Sequence, residues 1–220
     1  VSVGDGRFAF APAETLRYEV RYGPLKLGTL ELVTLSLDTV RAEPCYHFRG
    51  VLKSNPTLSL VFEAEYVLET WCRVRDMVTL RSYKRTREQR YRTEWVADFD
   101  YEQRVVRYND NTEYPLGGLA RDLVTLWYFF RTLTVEPGSS MKVYVHTDRR
   151  DYDTEFRALG HTRVRVPAGE FSCLEMKPTT SCPLGAAFLA DNPDKVPVVI
   201  RTRLGSAVVS AFLSEVARGR

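Results

Sequence analysis

Three histidines, His47, His146 and His161, hold all the imidazole chemistry of this chain. None stands in an H-x-H or H-E-x-x-H arrangement, so a metal site would have to be assembled across strands; no metal and no cofactor is expected. Cys45 and His47 are two residues apart, which in a strand puts a thiol and a candidate base on one face, the smallest pair that supports nucleophilic catalysis. Glu63 and Glu65 share a face in the same way, as do Asp98 and Asp100. Buried carboxylate pairs split their pKa values into an acid and a base, whereas on an exposed sheet face they are simply solvated, and here the solvated reading outweighs the other. No G-x-S-x-G elbow, phosphate-binding loop or G-x-G-x-x-G turn occurs. No catalytic residue is therefore assigned, and a hydrolase using scattered strand residues such as Cys45 and His47 is the remaining enzymatic reading.

A second constellation is basic. In "RSYKRTREQRYRTEW", Arg81, Lys84, Arg85, Arg87, Arg90 and Arg92 interleave with Tyr83, Tyr91 and Trp95. Cations beside aromatics bind single-stranded nucleic acid, anionic glycans or lipid head groups. Glu88 and Glu94 dilute the charge, and the chain as a whole carries 31 − 28 = +3, too small a surplus to track nucleic-acid phosphates. No nucleic-acid partner is expected, and a solvated face that guards sheet edges against aggregation is the preferred reading of the segment.

The elements that position these residues follow from periodicity. In "LRYEVRY", Leu16, Tyr18, Val20 and Tyr22 alternate with Arg17, Glu19 and Arg21, the pattern of a half-buried antiparallel strand. Gly23-Pro24 turns the chain into a second strand, with a slip or bulge expected near Val33. Alternating runs continue through "CYHFRGVLKS", "FEAEYVLETW", "MVTLRSYKRT", "YRTEWVADFD", "SMKVYVHTD", "YDTEFRALG", "TRVRVPAG", "FSCLEMKPT", "VPVVIRTRLG" and "SAVVSAFLSEV". About a dozen strands with turns between them predict a mainly β fold, a large antiparallel meander forming a barrel or half-barrel.

Against that background Leu119, Leu123, Val124, Trp127, Phe130 and Leu133 recur at steps of three and four. Gly117-Gly118 and Pro137-Gly138 bound the run, so one amphipathic helix of about three to four turns is expected, packed on or into the concave face. Asp122 and Arg131 would lie on its polar side. Tyr18, Tyr22, Tyr66 and Trp95 point inward in this register and, with Trp127 and Phe130, form the expected lining of a ligand cavity.

At 220 residues the chain suits one β-rich domain, residues 1–220, and 44% hydrophobic with 27% charged residues excludes disorder. No apolar run approaches the roughly 20 residues that cross a bilayer. The absence of an initial methionine suggests a leader removed or left off. Cys45, Cys72, Cys173 and Cys182 contain no C-x-x-C pair. Two disulfides of an exported protein, with Cys173 and Cys182 the more credible local pair, and four buried thiols both remain open.

Several segments in order carry a family resemblance: "LRYEVRYGPLKLGTLEL", "LARDLVTLWYFFRTL", the long stretch from "EPGSSMKVYVHTD" to "GEFSCLEMKP", and "DKVPVVIRTRLGSAVVSAFL". The chain resembles the bacterial domain of unknown function 3108 over nearly its whole length. A D-x-x-[ST]-x-x-Y-x-x-R helix corresponds to Asp122, Thr125, Tyr128 and Arg131. A V-x-x-G-x-F-x-C segment corresponds to Val166, Gly169, Phe171 and Cys173. A closing P-V-x-I strand ending in G-S corresponds to Pro197, Val198, Ile200, Gly205 and Ser206. The chain departs from the family in reading "AAFLADNPDKVP" where members often carry a tryptophan and an acidic turn. The resemblance implies a β-rich, barrel-like, exported periplasmic or envelope protein with no established enzymatic activity.

The expected function is thus a non-catalytic, exported envelope protein whose interior accepts an apolar small molecule such as a lipid. A structural or assembly module that binds an envelope protein or polysaccharide through its surface is the alternative, with the hydrolase third. No membrane-spanning segment is expected.

Overall fold

Antiparallel pairing between chain neighbours builds almost the whole molecule. The computed structural model describes residues 2–3, 10–55, 57, 63–180, 184–204 and 207–219. After a short β1 (Ser2–Val3) come β2 (Thr15–Tyr22), β3 (Leu25–Val40), β4 (Glu43–Ser54), β5 (Ala64–Arg73), β6 (Thr79–Glu88) and β7 (Tyr91–Asp100). Shorter strands β8 (Val105–Tyr108), β9 (Glu113–Pro115) and β10 (Ala120–Arg121) lead to a helix, α1 (Leu123–Arg131). Then follow β11 (Leu133–Thr134), β12 (Ser140–Thr147), β13 (Arg150–Val166), β14 (Gly169–Pro178), β15 (Leu184–Ala190), β16 (Pro197–Leu204) and β17 (Ala207–Ala217).

Fifteen of these strands form one sheet in the order β10-β12-β13-β14-β15-β16-β17-β2-β3-β4-β5-β6-β7-β8-β9, while β1 pairs with β11. The two edge strands, β9 and β10, are neighbours in sequence, so the sheet must curl until its edges approach. Among the described residues no backbone ladder joins them. Of the barrel and half-barrel expected, the half-barrel is the observed form.

Alternation places the core where the sequence puts it in β2, where Leu16, Tyr18 and Val20 are buried and Tyr22, at the strand end, is 51% exposed. Tyr22 keeps the face of Tyr18 and Val20 by alternation but stands open at the rim, as the last residue before the hairpin at Gly23 (φ 54°). The irregularity expected near Val33 lies just beyond it, between Thr34 and Leu37, where the register of β3 on β4 shifts. The runs "YDTEFRALG" and "TRVRVPAG" are one strand, β13, interrupted by a register shift between Ala158 and His161 instead of a turn. The departing segment "AAFLA" forms most of β15.

The helix is shorter than expected, nine residues capped by Asp122. Leu119 is 53% exposed, and Ala120–Arg121 are strand, so the periodic run begins just before β10 and not in the helix. Every helical residue from Val124 to Arg131 is buried. Asp122 and Arg131, expected on the polar side of the helix, are buried as well, because the curled sheet surrounds it. Phe130 meets Phe156 of β13 on one side and Tyr128 stacks on Phe48 of β4 on the other, with ring centroids 4.9 and 3.7 Å apart. Gly50 makes the approach possible, since a Cβ there would lie 3.1 Å from Val124 Cγ2.

Cys45, Cys72 and Cys173 are buried free thiols. Cys182 lies outside the described residues, as do Gly205 and Ser206.

Candidate functional site

The polar residues of the helix recur every third position and each meets the sheet at a different place. Asp122 accepts from Ser82 Oγ of β6 and, at 2.8 Å, from the Thr125 backbone N–H. Thr125 Oγ1 lies 2.9 Å from Thr70 Oγ1 of β5 and 3.0 Å from Thr79 Oγ1 of β6. Tyr128 stacks on Phe48 of β4, with the Thr34 hydroxyl of β3 at 3.4 Å. Arg131 pairs with Glu14, the residue before β2, through Nη1 to Oε1 at 2.5 Å and Nη2 to Oε2 at 3.1 Å. Three residues of helix advance about 4.5 Å and neighbouring strands lie about 4.7–4.9 Å apart, so a helix laid across a sheet presents one side chain per strand at this spacing. The four residues that carry the family helix motif are thus a docking key. They address the sheet.

Asp122 supplies a test of the key. Burial pushes its carboxyl pKa up against the opposing hydrogen bonds from Ser82 and Thr125. A carboxyl with a raised folded pKa holds its proton in the native state where the unfolded chain has lost it. Its contribution is therefore fully present below the unfolded value of 3.8 and declines as pH rises toward the folded value. Asp122→Asn is expected to flatten the stability decline that begins above about pH 4 and to keep the cap, whereas Asp122→Ala should cost about 0.5–2 kcal/mol at every pH. Urea melts across pH 3.5–8 check both, and an unaltered pH slope in the Asn variant would remove Asp122 as its source.

The six residues expected to line a cavity do not converge. Tyr18, Trp127 and Phe130 are 1%, 5% and 0% exposed and belong to the main core, Tyr18 donating to the Pro197 carbonyl at 2.8 Å. Tyr22 stands open at the rim. Tyr66 and Trp95 remain half-buried on the inner face, in register-connected rows above the helix. One row runs Leu32, Gly50, Leu68, Lys84, Trp95, and the next runs Leu30, Leu52, Tyr66, Thr86, Thr93. The row below, Thr34, Phe48, Thr70, Ser82 and Ala97, is fully buried and touches the helix. Leu30, Leu52, Leu68, Tyr66 and Trp95 thus form a half-buried apolar ledge. Tyr66 donates to Glu88 at 2.8 Å, and burial with that bond pushes its pKa up to about 12. Lys84, whose side chain is 17% exposed, spans from the ledge to Asp148.

The candidate nucleophile fares differently. Cys45 is 0% exposed and burial raises its pKa, which keeps the thiol protonated. His47 turns instead to Glu69 at 3.1 Å and stacks on Trp71 with ring centroids 4.3 Å apart. Asp98 pairs with Arg81 and Asp100 with Arg107, so each member of that acid pair has its own counter-ion.

A buried polar seam went unread in the sequence. Tyr108 of β8 lies 2.9 Å from His146 Nε2 of β12, and His146 Nδ1 lies 2.5 Å from Asp151 of β13. The Arg149 backbone N–H donates to the Tyr108 hydroxyl at 3.2 Å, and its guanidinium reaches Asp110 and Thr112. Gly117 N–H donates to Tyr144, which donates to Asp151. These side chains hold together the edges that no backbone ladder joins. Its centre is buried, with Tyr108 3% and His146 2% exposed, while Asp151 and Asp110 at its rim are open to solvent.

Fold and site together define an open, curled β-sheet protein of barrel-like build whose hollow is partly filled by a keyed helix. The chain belongs to DUF3108, a family of proteins of unknown function, whose model matches residues 17–211. No curated protein matches it in sequence. Among solved structures, it is similar to a beta-barrel-like protein of domain of unknown function DUF1849 from Brucella abortus, with a TM-score of 0.67 at 8% identity over 94% of this chain and 98% of that one. A DUF1089 family protein from Pseudomonas aeruginosa gives a TM-score of 0.45 at 9% identity over 74% and 85%. An exported-protein candidate with a YmcC-like fold from Bacteroides fragilis gives 0.37 at 10% over 96% and 98%. The Brucella likeness establishes the fold alone, and the other two superpose too loosely to add to it. No helix among the described residues is long and apolar enough to cross a membrane.

Proposed function

We propose that the protein is an exported cell-envelope protein without catalytic activity that holds an apolar ligand, such as a lipid chain, against the inner face of its curled sheet. One observation supports this above the others. Leu30, Leu52 and Tyr66 in one register row, and Leu68 and Trp95 on either side of Lys84 in the next, lie on the face turned toward the helix and stay half-buried, while the row beneath them is sealed. Apolar side chains kept partly open inside a curled sheet gain about 25 cal/mol for each Å² that a ligand covers. The binding set thereby narrows from the six residues expected to a ledge in which Tyr66 and Trp95 take part, with Tyr18, Trp127 and Phe130 as core. The envelope location rests on the resemblance of the family to exported β-rich proteins. A hydrolase on Cys45 and His47 draws no support from a buried, protonated thiol and an imidazole turned to Glu69.

Native mass spectrometry of the protein exported in a bacterial host tests the reading. Extra mass that disappears on denaturation and extracts as lipid is expected, reduced at least tenfold in Leu68→Asp, which places a charge on the ledge. A clean apo mass, together with no uptake of added fatty acid, would sink it.

A further inference from the structure

On the outer face of the same rim, one register row reads Lys53, Glu65, Arg87, Arg92 across β4 to β7. Arg87 and Arg92 are directly opposite each other, an arrangement that repels unless an anion lies between or beside them. Glu65 is the one described carboxylate within ion-pair distance of three cations, Lys53 at 3.0 Å, Arg85 at 3.3 Å and Arg87 at 3.8 Å. Arg92 uses Nη1 on the carbonyls of Gln89 and Tyr91, at 2.6 and 2.9 Å. Arg85 Nε is buried and has no acceptor. A hollow of about 330 Å³ is lined by Lys53, Ser54, Glu63, Ala64, Glu65, Arg87 and Arg92, and a second of about 380 Å³ by Arg85, Thr86, Arg87, Arg92, Thr93 and Glu94. Both share the two facing arginines. Glu63 also lines the first hollow and Glu94 the second, where Glu94 is engaged by Tyr83.

The place of this cluster joins it to the ledge. Lys53, Glu65, Arg87 and Arg92 are the chain neighbours of Leu52, Tyr66, Thr86 and Thr93, on the opposite face and near the strand ends. The first hollow includes Ser54 and Ala64 from the inner face with Lys53, Glu65 and Arg87 from the outer one, so it straddles the rim. We infer that Arg85, Arg87 and Arg92, with Lys53, form an anion subsite that takes the phosphate of an amphiphile whose apolar chain lies on the ledge. This rests on the ledge as a lipid site. Guanidinium groups suit the task because they bind phosphate oxygens in pairs and are weakly hydrated.

The test compares three probes on the full chain by calorimetry: a short-chain phosphatidic acid, the diacylglycerol of the same chains, and inorganic phosphate. Phosphatidic acid is expected to bind at least tenfold more tightly than diacylglycerol, and the preference should shrink between 50 and 500 mM salt. In Arg87→Gln/Arg92→Gln the preference should vanish while diacylglycerol binding persists. Both side chains are exposed, so the variant keeps the fold, as its melt confirms. Equal binding of the two lipids by the unaltered protein would overturn the subsite and leave the ledge standing. Binding of inorganic phosphate that is lost in the double variant, with neither lipid bound, would keep an anion site and overturn its joining to a lipid. Phosphatidic acid and inorganic phosphate binding unchanged by the double substitution would overturn the subsite outright.

Discussion

Arg131→Met is expected to destabilise the protein by about 3–5 kcal/mol, because it leaves Glu14 buried as an unpaired carboxylate. Both side chains are 1% exposed, and their bond is bidentate. Arg131 also donates through Nε to the Asp194 carbonyl at 3.0 Å, and its guanidinium carbon lies 5.3 and 5.5 Å from the ring centroids of Phe10 and Tyr128. One side chain thereby fastens the end of the helix to the segment before β2 and to the turn between β15 and β16. Removing the charge from the other end, as in Glu14→Gln, leaves the arginine short of a counter-ion and should cost a similar amount. The double variant Arg131→Met/Glu14→Leu is expected to recover much of the loss, since two apolar groups need no partners. Urea unfolding of the three variants measures the cycle. A single-variant loss below 1 kcal/mol would mean that water reaches the pair and that the helix is not sealed.

That ion pair also marks where the sequence stops being legible. The strands β2 and β4 to β7 follow from period-two alternation, because each satisfies its pattern against immediate neighbours. Glu14 and Arg131 are 117 residues apart, and no local pattern connects them. The helix is recognisable from Leu123, Val124, Trp127 and Phe130, but the pattern sets Asp122 and Arg131 only on a polar side and does not show that this side is buried. The spacing of three from Asp122 through Thr125 and Tyr128 to Arg131, close to the distance between strands, is the signal that could have shown it. The Tyr108–His146–Asp151 seam was hidden for a different reason: alternation says which face a side chain takes, whereas the meeting of β8 with β12 depends on how far fifteen strands curl. Tyr66 and Trp95 keep their predicted face and some cover because strands continue on both sides of them, whereas Tyr22, the last residue of β2, stands open at the rim.

Trp127→Ala is the sharpest probe of what the helix does. Trp127 is 5% exposed and packs edge-on to Phe130, ring centroids 5.9 Å apart, within the main core. Loss of a buried tryptophan removes its transfer free energy and leaves a cavity that a helix pinned by Asp122, Thr125, Tyr128 and Arg131 cannot collapse to fill. The expected cost is about 3–5 kcal/mol, which for a chain of this size lowers Tm by roughly 6–20 °C. If Trp127 were instead a wall of the ligand site, truncation would leave the ligand-free protein nearly as stable and weaken lipid uptake. The two roles therefore separate when the melt is taken after delipidation: a large drop in Tm places Trp127 in the sealed core below the ledge. An unchanged melt with lost lipid binding would move the ligand site down to the helix and overturn the division between keyed helix and open ledge.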